Sequence, residues 1–125
     1  MPHIIVEYSS DIQKSSIEQI QKQIQKIISS IKDGNFDFDH CKTRSISYDD
    51  YFLGGLESKD SSFVHVTIKI LAGRSVEIKQ QIGSQTIDFL KDFIENEESL
   101  QTFQTDLSVD VVEMDRDTYI KTKIS

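Results

Sequence analysis

The sequence has no tryptophan, one cysteine, one proline and five glycines among its 125 residues. A lone thiol, Cys41, excludes an internal disulfide and agrees with a reducing compartment. No neighbouring pattern would lower its pKa, so it reads as a small buried or half-buried side chain and not as a nucleophile. Basic residues are also short: 14 Lys and Arg against 21 Asp and Glu give a net charge of −7. That balance argues against nucleic acid, whose phosphates need a basic surface. The same field repels an anionic substrate, so a site for one requires a local cluster of cations. No run approaches the roughly 18 apolar residues of a membrane span, and the first residues lack the basic flank and long apolar core of a signal peptide. The expectation is a cytoplasmic protein with no membrane partner. His3, His40 and His65 show neither i, i+4 spacing nor accompanying cysteine pairs, so no metal site is expected.

What is present begins with MPHIIVEYSS. Proline offers no backbone N–H and suits a strand mainly at its first position. That is the structural reading of Pro2. The chemical reading is that removal of Met1 would leave Pro2 as a free secondary amine fixed at the end of a strand, a group able to act as a base. Pro2 to Ser9 is short, apolar and β-branched, hence a strand. Ile17, Ile20, Ile24, Ile27, Ile28 and Ile31 then recur at three and four, one apolar face of a helix with Ser15 or Ser16 as N-cap and Asp33-Gly34-Asn35 as its stop. Cys41 to Phe52 reads as a strand running into the turn at Gly54-Gly55, and Ser62 to Leu71 as the clearest strand of the chain.

Ala72-Gly73-Arg74-Ser75 is a tight turn in which Ser75 caps a second helix from Val76 to about Asn96. Leu107 to Met114 alternates as a strand, and the tail RDTYIKTKIS suggests a short helix and an edge strand. Glu95 to Glu98 reads as an exposed acidic helix end. Length and order therefore give one domain, 1–125, built as β-α-β followed by β-α-β, with candidate repeats over about 2–55 and 62–115. Pro2 to Glu7 lines up with Val64 to Lys69, and Ser16-Ile17-Glu18 with Ser75-Val76-Glu77. Right-handed crossovers then give an α/β (α+β) four-stranded mixed sheet with both helices on one face. The other face needs a cover, most economically from copies of the same chain.

The opening PHIIVEYS, the segment KTRSISYDDYFLGG and the strand-turn-helix FVHVTIKILAGRSVEIKQQIG together resemble the 5-carboxymethyl-2-hydroxymuconate Δ-isomerase family of the tautomerase superfamily, nearly end to end. The resemblance implies a duplicated tautomerase-like fold, a homotrimer, catalysis by the terminal proline and no metal or organic cofactor. Carried over, the catalytic proline falls on Pro2, and the arginine of the AGRS turn on Arg74. The family's Arg-Ser-Arg pattern falls on Lys42-Thr43-Arg44, so its first arginine is a lysine here. Arginine grips a carboxylate with a bidentate fork, whereas lysine is a mobile point charge. The departure bears on the substrate more than on the chemistry.

The implied reaction moves a proton across a conjugated enol–keto system of a small anionic substrate. Arg74, Lys42 and Arg44 would bind its carboxylates and stabilise the dienolate. Lys42 and Arg44 are two apart on a strand and share a face. His3 and His65 read as structural, and Tyr48, Tyr51 and Phe52 as pocket-lining or intersubunit residues. Two further readings stay open: a tautomerase of another small enol, such as an aryl pyruvate, and a trimeric binding module with a silent site.

Overall fold

In the computed structural model, which describes residues 1–55, 61–97 and 104–125, a four-stranded sheet carries two long helices. The strands are β1 (His3–Ser9), β2 (Lys42–Tyr48), β3 (Ser61–Leu71) and β4 (Gln104–Met114), and the helices are α1 (Lys14–Ser29) and α2 (Val76–Glu95). Strand order is β2-β1-β3-β4. β2 lies parallel to β1 and β4 parallel to β3, while the central pair β1 and β3 is antiparallel. Each parallel pair is joined across its helix, as a βαβ unit requires. The sheet is therefore the mixed one expected.

Alternation decides which side chains meet the helices. Ile4, Val6, Val64, Val66, Ile68 and Ile70 are fully buried and pack with Ile17, Ile20, Ile24 and Ile28 of α1 and Ile82 and Leu90 of α2. Each such side chain contributes about 1.5–3 kcal/mol on burial, which offsets the modest helix propensity of an isoleucine-rich α1. Residues of opposite parity, including His3, Ile5 and Glu7 of β1 and Lys42, Arg44 and Ile46 of β2, lie on the other face. Ile46 there is 46% exposed. The helices thus cover one face only.

Several boundaries differ from expectation. α1 begins at Lys14, and Gln13 at its N-cap makes no side-chain hydrogen bond. Ser15 and Ser16 lie inside the helix; Ser16 is buried and donates from Oγ to Glu97 Oε2 at 2.8 Å. That contact also corrects Glu97, which is half-buried and not part of a solvated acidic end. Glu98 lies outside the described residues. The helix stops at Ser29, before Asp33-Gly34-Asn35, where the Ser30 N–H closes the last turn onto the Lys26 and Ile27 carbonyls and the Ile31 N–H onto that of Ile28. Ile31 nevertheless stays in the core at 4% exposure. Asp33 and Asn35 take positive φ, 65° and 56°. A Cβ on Gly34 would stand 2.9 Å from the Phe36 ring, so only glycine lets the loop fold against that ring.

The segment expected as one strand from Cys41 to Phe52 is shorter, since a 3-10 turn over Phe38–His40 precedes β2 and the ladder ends at Tyr48. Ser75 caps α2 as expected, accepting from the Ile78 N–H at 3.2 Å. The tail forms neither a helix nor an edge strand. The Thr118 and Tyr119 N–H groups close a turn onto the Asp115 carbonyl, and the residues after it make no ladder. A side chain, Tyr119, holds the tail instead of a backbone ladder. No described helix is long and apolar enough to cross a membrane.

Candidate active site

Pro2 sits immediately ahead of β1 and is buried. Its carbonyl accepts from the Lys42 N–H at 2.9 Å, which ties the start of the chain to the start of β2. The Met1 amine donates to the His40 carbonyl. His40, Asp39, Cys41, Lys42, Lys121 and Lys123 line an adjoining pocket of ≈ 260 Å³, whose lining includes neither Met1 nor Pro2. Three lysines against one aspartate make the pocket basic within a molecule of net charge −7.

Electrostatics follow from that placement. Burial holds the Met1 amine below its ordinary value of 8.0, and the charges of Lys121 and Lys42 lower it further. Both effects disfavour the ammonium form. Burial also pushes the Cys41 thiol upward, against the amine's opposing charge, so it is not an activated nucleophile.

Lys42 and Arg44 stand on the uncovered sheet face beside His3 and Ile5 of β1. Arg44 Nη1 lies 3.0 Å from His3 Nδ1. A guanidinium only donates, so Nδ1 accepts and the imidazole proton sits on Nε2. His3 Nε2–H then donates to the Tyr119 oxygen at 2.7 Å, with the two rings edge to face at 5.7 Å. Burial, with Arg44 and Lys42 next, holds the His3 pKa below 6.5. His3 is a neutral link between β2 and the tail.

Arg74 occupies a different setting. The pairing of His3 with Lys69 puts the turn after β3 at the same end of the sheet as Pro2. Its guanidinium donates from Nε to the Gly34 carbonyl at 3.1 Å, with longer contacts to the Asn35 and Leu71 carbonyls at 3.4 and 3.5 Å. It also stacks over Phe36 at 4.3 Å from the ring centre. Burial, then Arg116, lowers its pKa. Arg74 therefore clamps the connection between α1 and β2, and the basic pocket at the amino terminus is lined without it. The structure brings Lys42 to Pro2 and sets Arg44 against His3. Lys121, Lys123 and Tyr119 were not singled out from the sequence, and no local pattern marks them, because only the folded tail carries Tyr119 to His3 and the two lysines to residues 39–42.

Among the described residues no group of three or more His, Cys, Asp or Glu side chains is arranged to hold a metal ion. Tyr48 donates to Glu7 Oε2 at 2.6 Å, and Tyr51 donates to the Ser61 carbonyl at 2.7 Å. Both tyrosines are thus engaged in the structure of the sheet and its neighbouring loop. Phe52 is 73% exposed.

A family model described as 5-carboxymethyl-2-hydroxymuconate isomerase matches residues 2–124. The chain belongs to that family. The same folding pattern occurs in solved structures. A 5-carboxymethyl-2-hydroxymuconate isomerase from Deinococcus radiodurans R1 is 23% identical, with a TM-score of 0.82 over 98% of this chain and 90% of that one. A 5-carboxymethyl-2-hydroxymuconate delta-isomerase is 13% identical, with a TM-score of 0.74 over 98% and 88%. A fused 4-OT described as a symmetric trimer is 12% identical, with a TM-score of 0.73 over 98% and 94%. A search of curated proteins gave no match. Family and fold together make this an isomerase of tautomerase-like architecture.

Proposed function

We propose that this isomerase moves a proton across the conjugated enol–keto system of an unsaturated, carboxylated keto acid similar to 5-carboxymethyl-2-hydroxymuconate. The Pro2 nitrogen acts as acid and base once Met1 is removed. The observation that carries the reading is the placement of Pro2, buried at the head of β1 and tied through its carbonyl to Lys42, next to a half-buried Met1 amine that burial and the charges of Lys121 and Lys42 hold below its ordinary pKa. A base that titrates near ambient pH is the one that can both take and return a proton, worth roughly 10²–10⁴ in rate. A proline nitrogen in this place inherits the same burial and the same cations, and its ring narrows the directions the lone pair can take.

In the reaction the proton leaves the substrate's 2-hydroxyl, electrons shift along the diene, and a carbon several bonds away receives a proton from the same nitrogen. Between these events negative charge rests on the 2-oxygen. Lys42, which lines the basic pocket, supplies counter-charge, and Arg44 and Arg74, which stand outside that lining, are assigned as further substrate-binding cations. Met1 retained would leave the Pro2 nitrogen an amide without basicity.

The uncovered sheet face, with Ile46 exposed opposite Glu7, supports assembly as a homotrimer in which neighbouring sheets cover one another. The test is a substrate panel for chain lacking Met1: 5-carboxymethyl-2-hydroxymuconate, 2-hydroxymuconate and phenylenolpyruvate, each with wild type and Pro2→Ala. We expect turnover of at least one of the two polycarboxylated dienols and a loss of 10²-fold or more in kcat/KM for Pro2→Ala. Turnover of phenylenolpyruvate alone favours the aryl pyruvate reading that Lys42 in place of arginine permits. Equal rates in the two proteins overturn the proline mechanism.

A further inference from the structure

The tail after β4 is fixed to the body at two points. The Arg116 guanidinium donates to the Ala72 carbonyl in the turn after β3, and the Tyr119 hydroxyl receives the His3 Nε2 proton one residue from Pro2. Beyond these anchors the tail delivers Lys121 and Lys123 to the pocket that Lys42 also lines. We infer that the carboxy-terminal tail is a working wall of the active site, in which Lys121 and Lys123 hold a second substrate carboxylate and so select polycarboxylated over monocarboxylated enols. The inference rests on the reading of this pocket as the place of proton transfer.

Geometry and charge both lead there. A volume of ≈ 260 Å³ suits a small acid and lies below the range of roughly 300–1,000 Å³ typical of drug-sized ligands. Lys121 and Lys123 are exposed, and Asp39 is the single carboxylate of the lining. Among the charges that lower the Met1 amine, Lys121 ranks ahead of Lys42, which places the tail lysine nearer the terminus in electrostatic effect. The family pattern has arginine where this chain has Lys42. One lysine cannot make the two parallel hydrogen bonds of a guanidinium fork. Two further ammonium groups arriving from the tail restore positive charge by number in place of geometry.

The experiment compares wild type with the double variant K121Q/K123Q, both lacking Met1. Substitution at two exposed positions leaves the core untouched, and far-UV circular dichroism checks this. For 5-carboxymethyl-2-hydroxymuconate, KM should rise tenfold or more, while KM for phenylenolpyruvate stays within threefold. Calorimetric titration with the stable dicarboxylate homophthalate and the monocarboxylate phenylacetate gives a readout independent of turnover. The double variant should weaken homophthalate tenfold or more and phenylacetate less than threefold. Equal weakening of both acids, unchanged homophthalate affinity, or no homophthalate binding to wild type overturns the inference. Failure of the two readings separates cleanly. Loss of turnover in Pro2→Ala with homophthalate binding indifferent to the lysines rejects the tail site alone. Lysine-dependent homophthalate binding in a chain without turnover rejects the reaction and keeps the carboxylate site.

Discussion

Replacing Arg74 by methionine separates a structural role from a catalytic one. The substitution keeps an unbranched apolar side chain over Phe36 but removes the guanidinium that donates to Gly34 at 3.1 Å and reaches Asn35 and Leu71 at 3.4 and 3.5 Å. A charged hydrogen bond of good geometry contributes about 1.5–3 kcal/mol, and the lower end applies because Arg74 is only half-buried. The two longer contacts add little. Stacking of the cation on Phe36 adds roughly 0.5–1 kcal/mol at an accessible site. The expected loss is thus about 2–3 kcal/mol. With an unfolding entropy of about 2.1 cal/mol/K per residue, each kcal/mol shifts Tm by about 4 °C in a chain of this size. Arg74→Met should lower Tm by about 8–12 °C, followed by circular dichroism at fixed protein concentration so that assembly does not move the midpoint. A shift under 3 °C would refute the clamp. If kcat/KM measured well below the new Tm also falls tenfold or more, Arg74 binds substrate in addition to holding the loop; unchanged kcat/KM restricts it to the fold.

Ser75→Ala removes the oxygen that accepts from Ile78 N–H and should cost about 1 kcal/mol, a fall of about 4 °C in Tm by the same scaling; an unchanged midpoint would mean the cap is not needed. His3 makes stability depend on pH in a definite sense. Its folded pKa lies below the unfolded value, so the unfolded chain binds the proton more readily. The contribution is complete above about pH 6.5 and is lost as pH falls toward the depressed folded value. Denaturant midpoints should drop between pH 7 and 5 in wild type and drop less in His3→Gln. Parallel pH profiles in the two proteins would show that His3 is not the group titrating.

Local chemistry made the second half of the chain the more legible. Ser75 followed by an apolar face at helical spacing sets the start of α2, and a strictly alternating β3 sets the sheet's centre. The beginning of α1 was not legible, because Ser16 spends its hydroxyl on Glu97, 81 residues away, while the N-cap position falls to Gln13, whose side chain makes no cap hydrogen bond. The serine pattern favoured a cap that tertiary contact took away. Site residues divide in the same manner. Pro2 was visible from its position, and Lys42 and Arg44 from the family resemblance, with strand alternation placing the pair on one face. The contacts of Arg74 with Gly34 and Asn35, the arrival of Tyr119 at His3 and that of Lys121 and Lys123 beside Lys42 depend on loops and a tail that carry no periodic signal.

The most direct measurement compares two mass-verified forms of one sequence, with Met1 present and with Met1 removed, on the same dicarboxylated dienol. The account predicts turnover in the form that begins at Pro2 and none above the uncatalysed rate in the form that keeps Met1. Equal turnover in both would place the proton-transferring group elsewhere in the molecule.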